Sequence, residues 1–155
     1  MNIREWNKKN SEIMRKYDAL YHRAALSSGL SDMQHFVLYV LYSADDGELI
    51  TQNDIAGIFG LPKQTLNSAI SKLSALGWVT LTQCAGPRNK KTLALTDTGM
   101  EICIKHIKPL CEAEERALGR LTDEEKETFL SLHEKVYRSM YDETTKLSEN
   151  NDNES

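Results

Sequence analysis

The chain has 155 residues and a formal net charge of −4, enough for one domain with a real core and marginal for two. It contains no run of 18 apolar residues, which excludes a spanning helix, and no apolar block at its N-terminus, so a cytoplasmic protein without a membrane partner is expected. Three cysteines, Cys84, Cys103 and Cys111, argue against a disulfide scaffold.

Residues 2–26 form the first expected helix, with Trp6, Ile13, Tyr17, Leu20, Tyr21 and Ala24 as an apolar stripe. Ser28-Gly29 breaks it, and Ser31 caps a second helix, Asp32 to Ser43, apolar enough to be buried on most sides. After the Asp45-Asp46-Gly47 turn, Glu48-Leu49-Ile50 can pair as a short strand.

Thr51, three residues before Asp54, is a cap-like pair that opens a short helix ending near Phe59. Gly60 suits a tight turn and Pro62 the start of the next helix, about Pro62 to Leu76. That helix buries Leu66, Ile70 and Leu73. Its other face carries Lys63, Gln64, Thr65, Asn67, Ser68, Ser71 and Lys72, all hydrogen-bond donors and none acidic. Such side chains reach base edges and phosphates. A solvated polar face is the alternative of about equal weight.

Gly77 ends the helix, Trp78 to Gln83 alternates as a strand, and Thr92 to Thr96 returns as another. Between them Arg88, Lys90 and Lys91 stand at or just after the tip of a hairpin, suited to a minor groove or flanking phosphates. An edge hairpin with lysines that deter aggregation is the plainer alternative. A long helix is expected over about 97–119, kinked by Pro109 near Lys108. A last helix runs from Thr122 to about Lys146.

The expected fold is therefore mainly α with a small β-hairpin wing. A single winged helix-turn-helix domain over 1–147 has its DNA-binding part at about 48–97. Long helices at about 2–26 and 97–147 serve dimerisation, and residues 148–155 form a disordered acidic tail. Charge follows this division: residues 61–110 carry seven Lys/Arg against two Asp/Glu, whereas residues 111–155 carry six against thirteen. A local cationic face on an acidic chain orients encounter with DNA. The outer helices carry more apolar surface than a winged helix can cover, which predicts a homodimer reading a palindromic operator.

The chain resembles the MarR family of winged-helix regulators over about residues 3–146. The likeness rests on helix order and on Ile55-Ala56, Gly60-Leu61, Leu73 with Gly77-Trp78-Val79, the wing Gly86 to Lys91, and Leu95-Thr96-Asp97-Thr98-Gly99. It implies an obligate dimer, recognition helices in adjacent major grooves, wing contacts from Arg88 with Lys90 and Lys91 at positions often held by arginine, and repression relieved by a small molecule or oxidant. Gly86, Leu81 and Ser68 depart from the family pattern, and the shortage of arginine predicts modest or salt-sensitive affinity. The rival expectation is a winged-helix protein–protein interaction module that does not bind DNA specifically.

No phosphate loop, nucleophile motif or HExxH helix marks an enzyme, and neither a cofactor nor a metal is expected from scattered His22, His35, His106 and His133. Cys84 beside the cationic wing is a minor redox candidate. A small-molecule effector cavity is expected where the first, second and fifth helices meet, lined by Tyr17, His35, Tyr39, Tyr42 and Met100, with ordinary packing of those side chains as the equal alternative.

Overall fold

Helix α1 spans Ile3–Ser27 and starts where the Asn2 side chain accepts from the Glu5 backbone N–H at 2.9 Å. It stops at Ser28, followed by Gly29 at φ 69°. Helix α2, Asp32–Ser43, opens with a complete capping box: Ser31 Oγ accepts from Gln34 N, and Gln34 Oε1 accepts from Ser31 N. In this computed structural model the described residues are 1–45, 47–59, 63–83 and 91–152.

Strand β1, Ile50–Thr51, leads straight into α3, Gln52–Phe59. The expected Thr51/Asp54 pair is made: Thr51 N–H and O–H donate to Asp54 Oδ2 at 2.8 and 2.6 Å, and Asp54 N–H donates to Thr51 Oγ1 at 3.2 Å. Helix α4, Lys63–Ala75, exits through Gly77, whose φ is 70°. Trp78 N–H returns to Leu73 O and Gly77 N–H to Ser74 O, the paired bonds of a Schellman ending.

Strands β2, Val79–Gln83, and β3, Lys91–Leu95, pair antiparallel with Val79 opposite Leu95 and Gln83 opposite Lys91. β1 adds on the far side of β3, giving the order β1-β3-β2. The third strand is thus Ile50–Thr51 and not residues 48–50. Leu49 stays exposed because Ile50 is the side chain that faces the core.

The long helix expected over 97–119 is two helices, α5 (Asp97–His106) and α6 (Lys108–Leu118), separated at Ile107. Pro109 has no N–H to give to the residue four positions back, and the interruption falls just before it at Ile107, whose backbone stays in the αR region. Helix α7 is Asp123–Asp152. Residues 148–152, expected to begin a disordered tail, continue it, since adding residues to a nucleated helix costs far less than starting one.

The described chain clusters in two compact units, Met1–Cys111 and a second from Glu112 onward. In the first, α2 is the hub and packs on α1, α4, α5 and β3. Val37, Leu38, Ile55, Leu66, Leu73, Cys103 and Ile107 are shut off from solvent, and burial of each large aliphatic side chain contributes about 1.5–3 kcal/mol. In the second unit no described side chain of α7 is buried, and Phe129, Leu132, Tyr137, Met140 and Tyr141 are exposed. Among the described residues no helix is long and apolar enough to cross a membrane.

Candidate nucleic-acid interface

Helix α4 divides sharply. Leu66, Ala69, Ile70 and Leu73 are buried, while Gln64, Thr65, Asn67, Ser68, Ser71 and Lys72 are exposed. At about 100° per residue these two sets occupy opposite arcs. The exposed arc contains no acid, so it presents donors and one cation without a carboxylate to repel phosphate. Lys63 is the first residue of α4, and its side chain lies outside the described set.

Lys91 is exposed at the start of β3, opposite Gln83 in the ladder and one residue before the strand expected from Thr92. Arg88 and Lys90, and with them Cys84, lie outside the described residues. So do Gly60 and Pro62.

A backbone knot holds this face in place. Thr96 N–H donates to Trp78 O at 3.0 Å, Thr96 Oγ1 donates to Gly77 O at 2.6 Å, and Gly99 N–H donates to Thr96 Oγ1 at 2.9 Å. Thr96 is thus both the N-cap of α5 and the clasp on the exit of α4. The α4 exit and β2 cannot shift against α5 without losing these bonds.

A cavity of about 490 Å³ opens between α1 and α2, lined by Asp18, Tyr21, His22, Asp32, Met33, His35, Phe36 and Tyr39. Of the expected lining only His35 and Tyr39 take part. Tyr17, Tyr42 and Met100 do not line it, and Met100 on α5 is exposed. Asp18, Tyr21 and His22 share a face of α1 by their three- and four-residue spacing, a signal present in the sequence. The His22 to Asp32 pairing across the break between helices is not one that spacing reveals.

Cys103 on α5 is fully buried, and burial, with Cys111 nearby adding to it, pushes its thiol up to about 12. It should therefore stay protonated and unmodified by iodoacetamide in native buffer at about pH 8, where free thiols of ordinary pKa near 8.5 react. Peptide mapping before and after unfolding checks this, and ready labelling of the folded chain would refute it. Among the described residues no three His, Cys, Asp or Glu side chains gather to hold a metal.

A short helix pair with an exposed polar second helix, a three-stranded sheet and long flanking helices define a winged helix-turn-helix protein. Residues 28–88 match the model of the MarR family. Solved structures extend the likeness of fold over most of the chain. A MarR family regulator from Neisseria meningitidis superposes with TM-score 0.76 at 20% identity, covering 94% of this chain and 99% of its own. S. aureus MepR in its DNA-binding conformation gives TM-score 0.73 at 21% identity over 84% of this chain and 98% of its own. The S. aureus MepR–DNA complex gives 0.69 at 19% identity, over 87% and 96%. No curated protein matches the chain.

Proposed function

We propose that this protein is a dimeric, DNA-binding transcriptional regulator of the MarR type, a cytoplasmic repressor released by a small-molecule or other signal. The observation that carries the reading is the acid-free exposed face of α4 on a chain of net charge −4. MepR, of like fold, is solved on DNA. In the proposed complex Lys63, Gln64, Thr65, Asn67, Ser68, Ser71 and Lys72 serve the major groove, and Arg88, Lys90 and Lys91 the minor groove and its phosphates.

Dimerisation is supported by apolar faces that each unit leaves to solvent: Trp6, Ile13, Tyr17 and Leu20 on α1, and Phe129, Leu132, Val136 and Met140 on α7. Contiguous exposed apolar surface of this extent marks an association site.

A salt titration against random duplex DNA tests the reading. A regulator loses affinity with a log–log slope of several phosphate contacts, about −0.9 for each, whereas an interaction module hardly binds. Arg88→Ala should weaken operator binding severalfold with an unchanged melting temperature, and unchanged binding would remove the wing from the mechanism. Asn67→Ala should alter sequence preference; a uniform loss across sequences would make it a backbone contact.

A further inference from the structure

We propose that α4 reads adenine: the carboxamides of Gln64 and Asn67 select two neighbouring A·T base pairs in each half-site through their major-groove edges. This rests on the DNA-binding reading above and names the class of sequence on which it acts.

The buried face of α4 fixes which side chains can reach a groove floor. Leu66, Ala69, Ile70 and Leu73 point into the core. Opposite their centre, at about 100° per residue, stand Gln64, Ser68 and Ser71, with Asn67 beside them, all exposed. This stepping by three, four and seven residues is the one by which recognition helices address base edges. The helix contains no arginine. Its two lysines stand off the central line, Lys63 as the first residue and Lys72 on the flank of the last turn.

Chemistry then selects the base. A carboxamide offers a donor and an acceptor side by side, the complement of the N6 amino group and N7 of adenine. Guanine presents two acceptors there, N7 and O6, and requires the donors of arginine or lysine. The hydroxyls of Ser68 and Ser71 donate or accept, so they suit any base. The discriminating groups on the outward line are therefore the two carboxamides. Residues three apart on a helix stand about 4.5 Å apart along its axis, close to the rise of about 3.4 Å between base pairs, so the two reach neighbouring pairs. Elsewhere in the chain carboxamides close helix caps, Asn2 on the Glu5 N–H and Gln34 on the Ser31 N–H. Those of Gln64 and Asn67 face solvent.

The test starts from duplexes that the full chain selects out of a random pool, and measures anisotropy on the best of them with single base pairs replaced. Adjacent A·T pairs should be required in each half-site, and changing one of them to G·C should weaken binding at least about fivefold. Replacement by inosine·cytosine should weaken it equally. That pair matches G·C in the major groove but lacks the amino group that marks G·C in the minor groove. Gln64→Ala and Asn67→Ala should each bring the preference for A·T over inosine·cytosine at one of the two pairs to within about twofold. Lys72→Gln should instead weaken all the duplexes alike and keep the preference. Selected sites with guanine at these positions, or without adjacent A·T pairs, overturn the proposal. So does full binding of the inosine·cytosine duplex, the result if A·T pairs are sensed through the minor groove or DNA shape. A preference unmoved by both carboxamide variants overturns it too. In all of these cases the chain still binds duplex, so the DNA-binding reading stands. Retention of no duplex at low salt overturns both.

Discussion

Gly99→Ala is expected to lower the melting temperature by about 6–12 °C or to prevent folding, a loss of about 3 kcal/mol or more. The added Cβ would lie 1.9 Å from the carbonyl oxygen of Trp78 and 2.9 Å from its carbonyl carbon. Both atoms are backbone, so no rotamer change relieves the clash. Relief requires α5 and the α4 exit to separate, which breaks the Thr96 bonds to Gly77 and Trp78. Gly57→Ala in α3 is the control, since a Cβ there meets nothing within 4 Å. It should be neutral or stabilise by up to about 1 kcal/mol through the unfolded chain. Thermal melts of the two variants decide the matter, and equal small shifts would refute the close approach. If Gly99→Ala folds, its DNA affinity should fall as well, because the same knot orients α4.

Reversing charge at Lys72 and Lys91 together should weaken duplex binding at least about a hundredfold at physiological salt and flatten the salt slope by several units. Both side chains are exposed, one on α4 and one at the start of β3. Each change removes a cation and adds an anion where phosphate is expected, and counterion release converts that directly into affinity. Stability should move little. Lys72 lies in the last turn of α4, where a glutamate costs about 0.3–1 kcal/mol against the helix dipole. Fluorescence anisotropy across a salt series, with melting curves beside it, reads both quantities. Unchanged affinity would place DNA elsewhere or remove it as a partner.

Much of the fold is legible in local chemistry. Ser31 with Gln34, Thr51 with Asp54 and Thr96 with Gly99 are caps whose partners lie three residues away, so sequence spacing and spatial proximity coincide. The two faces of α4 follow from helical period in the same way. The failures are non-local or cooperative. The single helix expected over 97–119 is interrupted at Ile107, giving α5 and α6, two residues before the proline expected to kink it. The cavity lining was only partly foreseen because it depends on how α1 lies across α2. That crossing puts Tyr21, His22 and Phe36 around one space and leaves Met100 outside it.

By itself, then, the sequence determined the element order, the caps, the buried stripe of α4 and its acid-free opposite face, because each depends on neighbours within a turn or two. Only the tertiary structure decided the rest. It set Gly99 against Trp78, joined β1 to the far edge of β3, broke the chain at Ile107 and brought the carboxylate of Asp32 onto His22. Three of these four join residues of different elements, Gly99 with Trp78, β1 with β3 and His22 with Asp32. In a close-packed interior such contacts are settled by the fit of all the side chains at once, which no single stretch of sequence contains.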